Sequence, residues 1–281
     1  MSISRSAACL AVAIAAVTVL GLSGCKKADG ASQTSLTVTG STTVLPIAEV
    51  AAEDFQTANP GKRVLVAGVG SSAGIESVAS GTSDIGTSSR DLKPEEKTLG
   101  LVDTKVALDA IAVIVNPSNP VSGLTKAQVS EIFQGKITNW KQVGGPDLEI
   151  GLVNRDEASG TREAFSKFVL GTADFDPTAA VLPGTGQVRS VVAQAAGAVG
   201  YISLGFVDTT VKALDVDGIP ANETTVADGS YPLWRNLHFF TKGEPKGLIK
   251  AYVDYVLSDN IQNTVVRDAG FLPIAEGGTK P

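Results

Sequence analysis

The sequence predicts an α/β protein made of two doubly wound lobes that are joined by crossing strands. From Leu36 onward, short β-branched segments alternate with segments whose apolar residues recur at helical spacing. This alternation is typical of a mainly parallel sheet with helices on both faces. We expect the strands at Val106–Asn116 and Asn236–Thr241 to cross between the lobes.

The first two elements show how the others are assigned. Leu36–Thr39 has the alternating β-branched pattern of a strand, and Pro46 suits the first turn of a helix that runs to Thr57. A short helix that carries Ile75 and Val78 is predicted to end at Gly81. Further strands are predicted at Val64–Val69, Asp84–Ser88, Leu148–Val153 and Val199–Leu204. Further helices are predicted at Leu124–Gln134, Thr161–Leu170, Gln187–Ala196, Lys246–Leu257 and Asp259–Asp268.

The charge pattern excludes several classes of function. The formal net charge is −6, and lysine and arginine are scattered along the chain. A nucleic-acid binder needs a basic surface to neutralise phosphates, so we expect no nucleic-acid partner. His238 is the single histidine, which leaves little material for a histidine metal site or a Ser-His-Asp relay. We expect His238 to be structural, and we expect the protein to use neither a metal nor a cofactor.

The N-terminus has the features of an export signal. Arg5 precedes an apolar run from Ala7 to Leu22, which reaches only about 24 Å as a helix against roughly 30 Å of bilayer core. Residues 1–24 are therefore predicted to be a signal peptide. The ending Leu22-Ser23-Gly24-Cys25 resembles a bacterial lipobox, which implies that Cys25 is lipidated and that residues 25–35 form a tether. The alternative is an ordinary secretory signal with an incidental cysteine.

Three segments rich in glycine and hydroxyl residues each lie between a predicted strand and a predicted helix. They are Gly40-Ser41-Thr42-Thr43, Gly70-Ser71-Ser72-Ala73-Gly74 and Ser159-Gly160-Thr161. Helix N-termini carry a partial positive charge and free N–H groups, so such segments favour anions. Each segment alone could serve only as a helix cap, but three of them indicate a shared anion site.

Arg155 adds a fixed charge four residues before Ser159, at the carboxyl end of a predicted strand. Ligands of open α/β sheets bind outside those strand ends, and a guanidinium can donate two hydrogen bonds to an oxyanion. The alternative is a surface salt bridge between Arg155 and Asp156 or Glu157.

These motifs resemble the phosphate-binding proteins of bacterial phosphate-specific ABC transporters, over residues 36 to about 273. The resemblance implies a type II periplasmic-binding-protein fold that closes on phosphate, with residues 36–113 and 236–281 in lobe one and residues 114–235 in lobe two. The stretches that carry it are Gly40–Thr43, Gly70–Gly74, Asp84–Arg90, Phe133–Trp140, Asn154–Thr161, Gly200–Leu204 and Pro232–Lys242.

The resemblance also assigns the ligand residues. Ser89 stands where well-known members have a carboxylate that accepts the proton of monohydrogen phosphate. A carboxylate acceptor rejects sulfate, which carries no proton, so the resemblance leaves open how this chain selects phosphate over sulfate. Asp84 is the alternative proton acceptor, although we expect it to brace a turn. The phosphate ligands implied are Ser41, Thr42, Thr43, Ser71 and Ser89 from lobe one, and Arg155, Ser159, Gly160 and Thr161 from lobe two.

The function implied is that of an extracytoplasmic, lipid-anchored, monomeric solute-binding protein that delivers inorganic phosphate to the permease and ATPase subunits of an ABC transporter. One alternative is a lipid-anchored sensor or adhesin, and another is a binding protein for a different tetrahedral oxyanion such as sulfate or molybdate. A hydrolase is not expected, because Ser71 and Ser159 have no partner base in the sequence pattern.

Replacement of Cys25 by Ser is expected to release the protein from the membrane without impairing anion binding, since stable anchoring requires acyl chains on that sulfur. Fractionation of cells that express the Cys25→Ser variant measures this. Unchanged membrane association of the variant would contradict the lipid anchor.

Overall fold

The computed structural model describes residues 33–274, so the predicted signal peptide, Cys25 and most of the predicted tether lie outside the described range. The strands are β1 (Ser35–Gly40), β2 (Arg63–Gly68), β3 (Ile85–Ser88), β4 (Leu101–Val115), β5 (Gly123–Leu124), β6 (Gly151–Arg155), β7 (Ala180–Leu182), β8 (Ala198–Ser203), β9 (Lys212–Ala213), β10 (Asp215–Val216) and β11 (Trp234–Lys242). The helices are α1 (Leu45–Ala58), α2 (Ser71–Ser80), α3 (Lys126–Phe133), α4 (Gly160–Phe165), α5 (Thr185–Gln194), α6 (Glu223–Ala227), α7 (Gly247–Val256) and α8 (Asp259–Ile261).

Nine strands form one mixed sheet in the order β2-β1-β3-β11-β4-β8-β6-β7, with β9 also paired to β4. The outer groups β2-β1-β3 and β8-β6-β7 are parallel. The strands at the centre are not: β11 is antiparallel to β3 and β4, and β4 is antiparallel to β8. The expectation of a mainly parallel sheet is therefore correct for each outer group and wrong for the centre.

Strand β4 joins two parts of the sheet. Its residues Leu101–Ala110 pair with β11, and its residues Ile111–Val115 pair with β8. We call β2, β1, β3, β11 and Leu101–Ala110, with the helices and loops that they carry, the first half of the sheet. The second half is Ile111–Val115, β8, β6, β7 and β9, with the helices and loops that they carry. The lobe boundaries given above stay a prediction.

Both halves carry apolar cores on both faces. In the first half, Phe239 packs with α1 and α7, whereas its neighbour Phe240 packs with Ile75 and Val78 of α2. Neighbouring residues of a strand point to opposite faces, so one strand supplies two cores. In the second half, Val113 and Ile114 separate in the same way between two clusters.

Several element boundaries differ from the expectations. Strand β6 begins at Gly151 and not at Leu148, because Leu148 O accepts the Trp140 N–H (2.9 Å) and Ile150 N donates to Thr138 O (2.8 Å). The segment before β6 is thus paired with a loop. Helix α4 ends at Phe165 and continues as a π-helix over Ser166–Leu170.

Across residues 33–274, none of the helices combines the length and the apolar character needed to span a bilayer.

Helix α2 lies against the first half of the sheet through Gly74. A Cβ at this position would lie 2.6 Å from Gly40 Cα and 2.6 Å from Thr39 O, which is closer than real Cβ contacts allow. The close approach places the start of α2 beside the end of β1.

Gly74→Ala is expected to lower the free energy of unfolding by about 1–3 kcal/mol, because the added methyl group forces α2 off the sheet. Gly186→Ala in α5 is the matched control, since a Cβ there meets no atom within 4 Å. That variant should be neutral or more stable by about 0.4–1 kcal/mol. Urea denaturation of both variants measures the difference, and equal stabilities would contradict the packing argument.

Candidate functional site

Hydroxyl groups from both halves of the sheet meet beyond the carboxyl ends of β1, β3 and β6. Thr43 Oγ1 lies 3.1 Å from Thr161 Oγ1. Ser71 Oγ lies 3.3 Å from Ser89 Oγ and accepts the Ser89 N–H at 3.1 Å. All four side chains are buried. The structure therefore brings together hydroxyls that the sequence places in four separate segments.

Glycines allow this close approach. A Cβ at Gly160 would lie 2.3 Å from Ser71 Oγ and 2.9 Å from Ser89 Oγ. A Cβ at Gly70 would lie 2.8 Å from the Ala158 Cβ. Neither position can take a larger residue unless the two halves of the sheet move apart.

Ser41 and Ser159 mainly close their own loops. Ser41 Oγ accepts the Thr43 N–H at 3.2 Å, and Ser159 Oγ caps α4 by accepting the Arg162 N–H at 3.2 Å. The capping alternative therefore holds for Ser159, whereas Ser41 closes the loop before α1, whose N-cap is Val44. Each hydroxyl still has its own proton to donate, so these contacts leave both able to bind an anion.

Arg155 ends β6 with its side chain buried and directed at the same place. Its Nη1 donates to Thr185 Oγ1 (3.1 Å), and its Nη2 donates to Thr42 Oγ1 (3.2 Å) and to Pro183 O (2.7 Å). Its Nε donates to Leu182 O at 3.2 Å. Every one of these acceptors is neutral.

The charge of Arg155 has no acidic partner in the described part of the chain. Within residues 33–274, arginine ion pairs involve Arg90, Arg189, Arg235 and Arg267, and the expected alternative of a salt bridge from Arg155 to a neighbouring acid is not formed. Burial lowers the pKa of the guanidinium below its ordinary value, yet arginine stays charged at neutral pH. The charge of Asp156 opposes that shift from beyond ion-pair distance. A buried charge without an ion-pair partner is costly, so the site favours an anion.

Thr185 completes the cluster, although the sequence analysis did not identify it. Its hydroxyl is buried and lies 3.1 Å from Thr42 Oγ1 and 3.5 Å from Thr43 Oγ1. Thr185 is the first residue of α5, which was predicted to begin at Gln187. A signal was present, because Gly184-Thr185-Gly186 repeats the glycine and hydroxyl pattern of the other segments.

Asp84 lies away from this cluster, at the opposite end of β3 from Ser89. Its Oδ2 accepts the Thr37 N–H (2.7 Å) and the Thr37 hydroxyl (3.0 Å). This bracing role was expected. It removes Asp84 as the alternative proton acceptor of the site.

A buried ion pair holds the loop that carries Ser89. Arg235 donates to Asp109 Oδ2 from Nε (3.0 Å) and Nη2 (2.8 Å), and its Nη1 donates to Ser89 O (3.0 Å). Burial raises the pKa of Asp109 above its ordinary value, although the charge of Arg235 opposes that shift. The sequence analysis missed this pair. The available signal was Asp109, a single acidic residue inside the apolar strand predicted at Val106–Asn116.

Tyr201 packs in the core, as a supporting residue of the site. Its ring stacks on Phe165 at a centroid distance of 4.0 Å. Its hydroxyl donates to Asn154 Oδ1, which also accepts the Arg155 N–H at 2.8 Å. The contact fixes the backbone from which Arg155 extends.

Metal ligands are not grouped in the described part of the chain: residues 33–274 contain no cluster of three or more His, Cys, Asp or Glu placed to hold an ion. His238 is buried, with Nδ1 2.8 Å from Asp103 Oδ1 and its ring stacked on Phe240. It lies in β11 and contributes to packing there.

Known proteins are similar to this chain in sequence and in fold. A family profile described as the PBP superfamily domain matches residues 26–260. The phosphate-binding protein PstS of Bacillus subtilis is 39% identical over 259 residues, which cover 90% of this chain and 84% of that protein. The chain belongs to the PstS family. The PstS protein of Borreliella burgdorferi is 31% identical over 266 residues, covering 90% of this chain and 94% of that protein.

Solved structures of PstS-like proteins agree with the fold. A phosphate ABC transporter substrate-binding protein from Clostridium perfringens, with bound phosphate, is 37% identical with a TM-score of 0.81 and covers 85% of this chain and 99% of that chain. An ABC-type phosphate transport receptor from Vibrio cholerae is 34% identical with a TM-score of 0.72, covering 84% and 99%. The predicted α/β fold class is confirmed.

Proposed function

We propose that this protein captures inorganic phosphate between the two halves of the sheet and delivers it to the permease and ATPase subunits of an ABC transporter. The observation that carries the proposal is Arg155, a buried cation held by neutral acceptors at a place where hydroxyls from both halves converge. Phosphate would supply the ion-pair partner that no acidic side chain provides to Arg155 in the described part of the chain.

The neighbouring groups suit a tetrahedral oxyanion. Ser71 and Thr185 begin α2 and α5, and the first turn of a helix has N–H groups without a partner inside the helix. In α2 one of them, the Ser72 N–H, already donates to Ala158 O at 3.2 Å. The hydroxyls of Thr42, Thr43 and Thr161 add donors. The proposed ligands are thus Ser41, Thr42, Thr43, Ser71, Ser89, Arg155, Ser159, Gly160 and Thr161, together with Thr185.

Binding, not catalysis, is the role this arrangement supports. The hydroxyls Ser71 and Ser159 have hydroxyl and amide partners, and activation of a serine nucleophile requires a neighbouring base. The relatives named above are binding proteins of transport systems. We propose that the monomeric protein is held on the extracytoplasmic side of a bacterial membrane by lipid on Cys25, which lies outside the described residues.

Titration calorimetry of the chain without residues 1–25, with phosphate, arsenate, sulfate and molybdate, tests the proposal. We expect phosphate to bind with one site per chain. Binding of none of the four anions would contradict the proposed function, and preference for sulfate or molybdate would favour transport of that oxyanion.

Arg155→Ala is expected to weaken phosphate binding by about 2–5 kcal/mol, because it removes the buried charge that faces the anion. Thr42→Ala removes one neutral hydroxyl and should cost about 1 kcal/mol. Arg189→Ala is the control for loss of an arginine elsewhere, since Arg189 pairs with Asp208 near the surface, and its affinity should match that of the wild type. Equal losses in Arg155→Ala and Thr42→Ala would show that Arg155 does not contact phosphate.

Phosphate affinity is expected to hold or rise between about pH 6 and 8. The second ionisation of phosphate falls near pH 6–7, and a site rich in donors favours the more charged form, which accepts more hydrogen bonds. Because Ser89 can donate as well as accept, sulfate should be rejected less strongly than by a site with a carboxylate there. Titration calorimetry at pH 6, 7 and 8 with both anions measures this.

Two variants sharpen that test. Ser89→Asp places a carboxylate in the cluster and should strengthen the rejection of sulfate. Asp84→Asn should leave the sulfate-to-phosphate ratio unchanged, because Asp84 binds Thr37 at the far end of β3. Strong exclusion of sulfate by the wild type that disappears in Asp84→Asn would contradict our assignment.

A further inference from the structure

A charged cluster lies next to the anion site. It is built on the segment that follows β3, directly after Ser89. The guanidinium of Arg90 is almost fully buried and donates to both oxygens of Glu96, at 2.6 and 2.8 Å. It also donates to Ser72 Oγ at 3.2 Å, at the start of α2. Arg90 is therefore fixed rigidly to the first half of the sheet.

Glu163 approaches this cluster from the second half. It lies in α4, two residues after Thr161. Its Oε2 is 2.8 Å from Arg90 Nε and 3.2 Å from Lys93 Nζ. The contact with Arg90 has ion-pair distance without hydrogen-bond alignment, and Arg90 Nε has no hydrogen-bond partner in the structure. One carboxylate thus faces two cations of the opposite half.

The surroundings increase the weight of this contact. Arg90, Lys93, Glu163 and Trp234 line a cavity of about 450 Å³ whose walls come from both halves. The side chain of Arg90 is 3% exposed and that of Glu163 is 36% exposed, so the pair is partly shielded from water. A charge pair in such a place is stronger than a fully solvated one.

We propose that Arg90, Lys93 and Glu163 form a charge latch that holds the two halves together over bound phosphate and sets the rate at which phosphate leaves. The inference rests on the proposed function. Glu163 is a positioning residue, because its carboxylate pairs with Arg90 and Lys93 and only its backbone N–H meets a proposed ligand, at Ser159 O (3.2 Å). It acts through α4, whose first residues Gly160 and Thr161 belong to the site, and Arg90 acts through its neighbour Ser89.

Opening the halves separates Glu163 from both cations, whereas closing them restores two ion pairs. Most changes of affinity within one binding site are expressed in dissociation. Loss of the latch should therefore speed release and leave capture nearly unchanged, since the anion is captured by Arg155 and the hydroxyls.

The test measures phosphate association and dissociation by stopped-flow, with tryptophan fluorescence as the signal. The sample is the full processed protein purified from cells. Glu163→Gln should raise the dissociation rate constant by about threefold to tenfold, with an association rate constant within about twofold of the wild type. Glu163→Asp keeps the charge and should recover part of the loss. Glu131→Gln is the matched control, because Glu131 is an exposed residue of α3, and it should behave as the wild type.

Salt separates the latch from a general packing effect. Raising the salt concentration from 0.05 to 0.5 M should speed release more in the wild type than in Glu163→Gln, because screening weakens ion pairs that the variant no longer has. Equal dissociation rates in the wild type and Glu163→Gln, or equal salt dependence, would overturn the latch.

A wild type that does not bind phosphate would contradict the proposed function and not the latch itself. The latch is then judged by the radius of gyration from small-angle X-ray scattering. Glu163→Gln should be more expanded than both the wild type and Glu131→Gln, and identical radii would overturn the latch.

Discussion

The site is organised around one buried positive charge. Arg155 is 1% exposed, and its guanidinium is fixed by Leu182 O, Pro183 O and two threonine hydroxyls. These neutral groups satisfy its donors without cancelling its charge. Burying that charge costs free energy, and an anion that binds beside it offsets part of that cost. Arg155 thereby favours an anionic ligand.

The rest of the structure holds hydroxyls and helix starts close to that charge. Gly160 and Gly70 let the second half of the sheet touch the first at distances that a side chain would prevent, and Gly74 does the same for α2 and β1. The Asp109–Arg235 pair then fixes the Ser89 carbonyl from the central strands. Glycines at the contact and a rigid ion pair behind it keep the donors in place.

Selectivity is the property that we expect to depend most on Ser89. The resemblance to the family places Ser89 where well-known members have a carboxylate, and Asp84 is held by Thr37 at the other end of the strand. The cluster is therefore rich in groups that can donate a hydrogen bond, and its hydroxyls can also accept one. Donors of this kind favour an oxyanion whose oxygens all accept, whereas a carboxylate requires one protonated oxygen.

The sequence by itself determined the alternation of strands and helices, three of the hydroxyl segments and the role of Arg155 as a candidate ligand, because periodicity and strand-to-helix motifs are local. Tertiary structure alone decided three other features. It placed Thr185 within 3.1 Å of Thr42, 143 positions away in the chain, set the central strands antiparallel, and brought Glu163 to Arg90. Contacts of this kind depend on how separate elements pack, and no spacing along the chain encodes that packing.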